Sequence, residues 1–257
     1  SDKESAAIIG FTSAIAAYGA FFIPKSFGTS IAMTGGAEVA LYGFLGFYIA
    51  RPAVRGKGYG IQVWNAGMAR LAGRNVGLDG VVAQQDNYRK SGFKLAWNNI
   101  RHEGPVPDVK VPAGVGLVDA RDIPFDRLAA YDRRFFPEAR ASFLAPWLSL
   151  PERTSLVALR DGEIAGFAVM RACRAASRVG PLYAATPEIA AALVSALAEN
   201  MRAKTVGIDV PDNNAAAVAM ARRLGLAPAF ETARMYTGPA PEIDSAGLFG
   251  VTSLELG

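Results

Sequence analysis

The sequence is poor in cysteine and histidine, with Cys173 as its one cysteine and His102 as its one histidine among 257 residues. A single cysteine cannot close a disulfide within the chain, so we expect a reducing, cytoplasmic setting. Most protein metal sites use more than one histidine or cysteine ligand. Because the chain has one of each, no metal site is expected. We expect Cys173 to lie in the core, as free cysteines often do, and His102 to be exposed near a strand end.

Concentrated positive charge is also missing. The net charge is +4, and 51% of the residues are hydrophobic against 19% charged, which is typical of a folded globular protein. Without a basic stripe, no nucleic-acid partner is expected. Residues 5–24 carry no charge and could span a bilayer. Their Ala, Ser and Gly content and the mixed charges before them favour a buried helix and strand, so no membrane partner is expected.

Three landmarks occur twice along the chain, in the same order. A Val-Gly-Leu-Asp stretch ends at Asp79, and a Val-Gly-Ile-Asp stretch ends at Asp209. Further along, Gly92 in the first copy and Gly225 in the second are each followed nine positions later by an arginine, Arg101 and Arg234. Such internal similarity indicates two related folding units.

Each copy alternates short apolar runs with amphipathic patterns, which predicts an α/β (α+β) fold. We expect two tandem domains, 1–108 and 109–257, each a mixed, mostly antiparallel sheet flanked by helices. Prolines and glycines at 104–114 mark the linker. In the second copy, Thr186 and Asn213 or Asn214 are candidate helix caps. The main predicted strands are 44–50, 76–82, 115–120, 155–159, 177–185 and 206–210, and the main predicted helices are 61–72 and 124–136.

A glycine-rich loop joins the strand that ends at Ala50 to the helix that begins near Ile61. Glycines allow a backbone to approach a phosphate closely, and the start of a helix offers free amides. An anion, most simply a pyrophosphate, is therefore predicted here. A tight turn without a ligand is the alternative. The loop residues are Arg55, Gly56, Lys57, Gly58, Tyr59 and Gly60.

The spacing of these glycines separates the loop from two other phosphate-binding motifs. The dinucleotide fingerprint needs its third glycine one residue later, and no Gly-x-x-x-x-Gly-Lys-Ser/Thr occurs. The pattern Arg-x-x-Gly-x-Gly after a strand resembles the acetyl-CoA loop of the GNAT superfamily of N-acetyltransferases, whose consensus is Gln/Arg-x-x-Gly-x-Gly/Ala. Segments 43–49, 88–93 and 230–236 resemble the branch with a second acetyltransferase-like domain.

The resemblance implies acetyl-CoA as the cofactor and assigns its binding residues. Strand backbone at Tyr48, Ile49 and Ala50 would meet the pantetheine arm. The pyrophosphate would lie on the loop and the start of the helix, where two basic side chains add positive charge. The residues implied to bind the pyrophosphate are Arg55, Gly56, Lys57, Gly58, Tyr59, Gly60 and Ile61.

Two residues are candidates for proton transfer. The resemblance implies that Tyr88 protonates the departing thiolate, and packing of the helix against the sheet is the alternative role. Asp79 stands where the family sometimes has a carboxylate base. Because Asp209 repeats it in a copy that lacks the loop, a role in the fold is the alternative. Glu103, Asp86 or a chain of waters are further possibilities for the base.

The second copy lacks the Arg-x-x-Gly-x-Gly pattern and has Ala221 where the first has Tyr88. We therefore expect one cofactor site, with the second copy lining the substrate cleft or mediating a homodimer. Arg178, Tyr183 and Trp147 are conceivable ligand contacts, although packing in the core is expected of the two aromatic residues.

Together these features predict a cytoplasmic N-acetyltransferase that moves an acetyl group from acetyl-CoA to a primary amine by direct attack. The acceptor would be a small molecule or a peptide. A non-catalytic protein that binds acyl-CoA as a sensor or scaffold is the alternative function.

Overall fold

The computed structural model describes residues 42–46 and 48–257, so the charge-free stretch at 5–24 lies outside it. The described helices are Tyr59–Arg70 (α1), Gln85–Lys90 (α2), Phe125–Asp132 (α3), Ala141–Ser149 (α4), Pro187–Asn200 (α5) and Ala215–Arg223 (α6). The described strands are Tyr42–Phe44 (β1), Asn75–Val81 (β2), Lys94–Pro105 (β3), Val115–Asp119 (β4), Arg153–Arg160 (β5), Glu163–Arg171 (β6), Ser177–Ala184 (β7), Thr205–Pro211 (β8), Ala227–Tyr236 (β9) and Leu248–Gly250 (β10).

The described strands form one mixed sheet in the order β1-β2-β9-β3-β8-β7-β6-β5-β4, with β10 paired to β7. The pairs β1–β2 and β7–β8 are parallel, and the other pairs are antiparallel. The prediction of a mixed, mostly antiparallel α/β sheet flanked by helices is confirmed. Within the described residues, no helix is long and apolar enough to cross a membrane.

The two copies share this sheet instead of forming one sheet each, which differs from the expectation. We call residues up to 108 the first half and residues from 109 the second half. Strand β3 of the first half lies between β8 and β9 of the second, and β9 lies between β2 and β3 of the first. Each half therefore contributes its long strand to the other, so hydrogen bonds of the sheet join the halves.

Two ion pairs repeat this exchange. Asp79 on β2 lies directly opposite Arg234 on β9, and Arg101 on β3 lies directly opposite Asp209 on β8. Each arginine makes two hydrogen bonds to its carboxylate, with distances between 2.6 and 2.9 Å. The repeated Asp and Arg landmarks of the sequence thus pair across the halves, not within them. Between the pairs, Asn99 and Thr232 face each other on β3 and β9.

The helix starts of the second half agree with the sequence. The Thr186 hydroxyl accepts a hydrogen bond from the Ile189 amide, and Pro187 is the first residue of α5. The Asn214 side chain accepts one from the Ala217 amide at the start of α6. In the first half the shorter connection leaves α2 with 6 residues against 9 for α6.

Two burial predictions are wrong. Cys173 is exposed because it follows the end of β6 in the connection to β7. His102 is buried, with 3% of its surface exposed. The strand that carries it continues to Pro105 and has a neighbour on each side, where His102 faces Ile208 and Pro228.

Candidate active site

The parallel strands β1 and β2 separate after three paired residues. The amide of Leu45 donates to the carbonyl of Gly77 at 2.8 Å, and beyond it the chain leaves the sheet. We call this gap the first opening. The predicted strand to Ala50 is therefore too long, since Phe44 ends β1. The reason is that diverging strands cannot exchange hydrogen bonds, so the backbone at Tyr48 and Ile49 lies outside the ladder.

The glycine loop, residues 55–60, leads from the first opening into α1. Gly56 and Gly58 have φ of 76° and 81°, a left-handed conformation that favours glycine. Gly58 is the N-cap of α1 and provides no side-chain hydrogen bond. The first bond of this helix runs from the Gln62 amide to the Gly58 carbonyl. Within the described residues no partner engages the amides that precede Gln62 in the helix, so they can bind an anion next to the positive end of the helix dipole.

The two basic side chains of the glycine loop are exposed. Arg55 donates from Nε to the carbonyl of Ala50 at 3.0 Å, which fixes the loop on the segment before it. Lys57 stands between the two left-handed glycines. The loop therefore combines backbone amides, a helix start and positive charge at one exposed point, which is the chemistry that binds phosphates.

The residues assigned to the cofactor come together at the first opening. Tyr48, Ile49, Tyr59 and Ile61 are exposed by 39, 68, 39 and 56%. A Cβ placed on Gly60 would lie 2.7 Å from the Tyr48 hydroxyl, so Tyr48 reaches the first turn of α1 because position 60 is a glycine. A ligand arm in the opening would contact these apolar surfaces.

Tyr88 belongs to an aromatic stack behind the glycine loop. Its ring stacks on Trp64 with centroids 5.7 Å apart, and Trp64 contacts Tyr48 at 5.3 Å and Phe93 at 5.8 Å. The Tyr88 ring also covers Gly80 of β2, where a Cβ would overlap it. Sequence reasoning missed this glycine, although a glycine inside a strand is a known sign of close approach. Burial, and secondarily Tyr48, raises the pKa of Tyr88.

Asp79 lies beneath this region, and its side chain is 0% exposed. Its Oδ1 accepts from Arg234 Nε and from Asn99 Nδ2, both at 2.8 Å, and its Oδ2 accepts from Arg234 at 2.6 Å. Both carboxylate oxygens are therefore engaged. This arrangement favours the role in the fold that the sequence left open for Asp79.

The second half contains an equivalent gap, which we call the second opening. It lies between β7 and β8 beyond their last pair, Val179 and Ile208. Strand β10 enters it, pairing Gly250 with Leu182, and the amide of Val251 donates to the carbonyl of Asp209 at 3.0 Å. The chain thus fills its own second opening. The short apolar run at β10 carries no sequence signal for this position.

The three residues of the second half that were considered as ligand contacts are engaged in packing or pairing within the protein. Tyr183 and Trp147 are 1% and 6% exposed, which confirms that they belong to the core. Arg178 pairs with Glu103 of the first half. The described residues contain no group of three or more His, Cys, Asp or Glu that could hold a metal ion.

The segment after β10 returns to the first opening. The backbone of Glu255 packs so closely on Gly46 that a Cβ there would overlap its carbonyl oxygen. A Cβ at Gly257 would lie 3.1 Å from the Phe44 ring. The second half therefore borders the first opening where β1 ends, a contact that sequence spacing alone could not place.

Comparisons with known proteins identify the family and the fold. A family model described as an acetyltransferase (GNAT) domain matches residues 128–250, within the second half. The chain is 31% identical over 218 residues to holothin acyltransferase from Pseudoalteromonas sp. strain SANK 73390, an alignment that covers 84% of this chain and 74% of that protein. A 47-residue stretch, 18% of the chain, is 57% identical to the nitrate/nitrite transporter NarU of Salmonella typhimurium and covers 10% of it.

Solved structures share the fold. An acetyltransferase structure from Pyrococcus horikoshii has a TM-score of 0.68 at 19% identity and covers 81% of this chain and 69% of its own. A tandem GNAT protein from the clavulanic acid biosynthesis pathway has a TM-score of 0.52 at 16% identity, covering 75% and 74%. Given the extent of the alignment with holothin acyltransferase, this chain belongs to the GNAT acetyltransferases and is an acyltransferase.

Proposed function

We propose that this acyltransferase moves an acetyl group from acetyl-CoA to a primary amine by direct attack, at one cofactor site in the first half. The observation that carries the proposal is the uncapped start of α1. Its free amides, the two left-handed glycines and the charges of Arg55 and Lys57 stand beside the first opening. A pyrophosphate fits this set of donors, and the backbone at 48–50, which lies outside the sheet ladder, suits an amide-containing arm.

Acetyl-CoA supplies an activated thioester, from which the amine displaces the thiolate as the new C–N bond forms. Tyr88 is the proposed donor of a proton to that thiolate. A phenol is protonated at neutral pH, and burial raises the pKa of Tyr88 further, so the proton is present for donation to the thiolate. We assign no base to a side chain, since Asp79 is engaged by Arg234 and Asn99. The amine proton passes to water.

We also propose that residues 1–108 and 109–257 are tandem GNAT-like units, the second without a cofactor site. The reciprocal ion pairs of Asp79 with Arg234 and of Asp209 with Arg101 support a pseudo-twofold relation between them. The cap at Thr186 and the strand within the second opening support a single site. The acceptor is a small molecule or a peptide in the cytoplasm.

Titration calorimetry with acetyl-CoA tests the proposal. We expect one molecule to bind per chain. Gly60→Val places a side chain against the Tyr48 hydroxyl and should weaken binding by at least about tenfold, or 1.4 kcal/mol. Gly116→Val is the matched control and should leave binding unchanged. Gly116 lies in the second half, and a Cβ at this position meets nothing within 4 Å. Absence of binding contradicts the proposal, and two molecules per chain contradict the single site.

Mass spectrometry of amines incubated with the enzyme and acetyl-CoA then separates catalysis from simple binding. We expect a mass increase of one acetyl group on at least one primary amine of a broad panel. Binding without transfer to any amine or peptide of the panel would favour a sensor or scaffold instead.

A further inference from the structure

Three arginines stand side by side across the second half of the sheet. Arg153 begins β5 and lies opposite Arg171, the last residue of β6, and Arg171 lies opposite Arg178 of β7. Directly opposite residues of neighbouring strands point to the same face. Arg178 is neutralised by Glu103 of β3. The row therefore holds three positive charges and one negative charge.

Arg153 and Arg171 form no ion pair with any described residue, in contrast to their neighbour Arg178. The Nε of Arg171 is buried and has no hydrogen-bond partner within the described chain. Arg153 donates to a neutral acceptor, the carbonyl of Trp147, at 3.3 Å. Burial, and secondarily the charge of Arg171, lowers the pKa of Arg153. Like charges directly opposite each other destabilise a sheet, and no carboxylate of the described residues forms an ion pair with either arginine to offset this.

One indole holds both guanidinium groups in place. The Cζ atoms of Arg153 and Arg171 lie 4.0 and 5.3 Å from the centroid of Trp147. Trp147 is itself fixed in the core, with its Nε1 donating to the Gly180 carbonyl at 3.2 Å. Stacking on a buried ring orients the planar guanidinium forks and lowers the entropy they would lose on binding a ligand.

We propose that Arg153 and Arg171 bind an oxyanion, a group with two or more oxygens on one centre such as a phosphate or a carboxylate. Paired guanidinium forks suit such a group because they donate several parallel hydrogen bonds. Both side chains are partly exposed, and the neighbouring connection with Cys173 and Arg174 is exposed, so a ligand can reach them. The site lies in the second half and is independent of the glycine loop.

Calorimetry with inorganic phosphate and with succinate tests this site against sodium chloride of equal ionic strength. We expect saturable binding of at least one of the two anions, and the stronger of them identifies the ligand class. Arg171→Lys and Arg153→Lys keep the charge but lose the planar fork, and each should weaken binding at least about tenfold. Arg174→Lys is the matched control on the neighbouring connection and should bind as the wild type does.

The proposal is overturned if neither anion binds beyond chloride. It is also overturned if the Arg171→Lys and Arg153→Lys proteins bind like the wild type, because the anion would then bind elsewhere, for example at the glycine loop.

Cys173 offers a local readout that needs no substitution. It is the chain's one cysteine, it is exposed, and it stands two residues after Arg171. An anion bound at the arginines disfavours the reactive thiolate. We expect phosphate or succinate, whichever binds, to slow alkylation by iodoacetamide at least about twofold, followed by intact mass. Equal rates in the anion and in chloride contradict the assignment.

Discussion

The two parallel strand pairs diverge in the same way, but the described part of the chain places a strand of its own in only one of the two gaps. Beyond the bond between Leu45 and Gly77, the first opening contains no other strand of the described chain. Beyond Val179 and Ile208, the second opening takes up β10. Divergence of two strands is thus not enough to make a ligand site. The opening can receive an external arm only where the protein does not itself satisfy the exposed backbone groups.

The helices that come after the two openings differ in the same sense. Helix α1 starts from Gly58, which has no capping side chain. Helix α5 starts from Thr186, whose hydroxyl accepts a hydrogen bond from the Ile189 amide. Pro187 removes a further amide from the second helix. The anion-binding capacity of a helix start is therefore present in the first half and used internally in the second.

The largest expected effect concerns the ion pairs that join the halves. Asp79→Asn leaves Arg234 charged and buried, and should lower the free energy of unfolding by about 3–5 kcal/mol. Asp209→Asn should cost less, about 1–3 kcal/mol, because the side chain of its partner Arg101 is 18% exposed against 5% for Arg234. Urea unfolding followed by circular dichroism measures both. An equal or larger loss for Asp209→Asn would show that the two pairs are not distinguished by burial.

A second prediction concerns Tyr88, which has Ala221 as its counterpart. Tyr88→Phe should lower kcat by about 10²-fold and leave the affinity for acetyl-CoA unchanged. The raised pKa of Tyr88 keeps the phenol protonated, so wild-type activity should fall only as the pH rises above about 10, and the variant should lack this decline. Steady-state kinetics across pH provide the measurement. Unchanged turnover would leave Tyr88 with a packing role alone.

A third prediction separates the two openings with one type of substitution. Gly250→Val in β10 would place a Cβ 2.8 Å from Ile208 and 3.2 Å from Leu182, and should lower stability by about 1–3 kcal/mol without affecting acetyl-CoA binding. Gly58→Val meets nothing within 4 Å but forces valine into a left-handed conformation at the proposed site. It should weaken acetyl-CoA binding at least about tenfold. Thermal unfolding and calorimetry on both proteins reveal whether the effects divide in this way.

The smallest effect is expected at the cap of α5. Thr186→Ala removes the hydroxyl that accepts from Ile189 and should cost about 1 kcal/mol of stability. Thr186→Ser retains the hydroxyl and serves as the control. Acetyl-CoA binding should be the same in all three proteins, measured by calorimetry beside urea unfolding. A gain of a second binding event in Thr186→Ala would mean that the cap alone had closed the second site.

Local signals predicted much of the fold. Thr186, Pro187 and Asn214 mark helix starts through chemistry that acts within three residues, and the glycines at 56 and 58 mark the loop for the same reason. The extent of β1 was not predictable, because an apolar run to Ala50 looks alike whether or not a partner strand stays beside it. The burial of His102 depended on neighbouring strands from the other half.

What the sequence determined by itself was the repeat of Asp79 and Asp209 with Arg101 and Arg234, and the presence of the glycine loop in one copy. The tertiary structure decided that each aspartate pairs with the arginine of the other half, and that β10 enters one opening and not the other. Pairing of strands far apart in sequence depends on which backbone groups remain unsatisfied after the local elements form, and a single segment does not encode that choice.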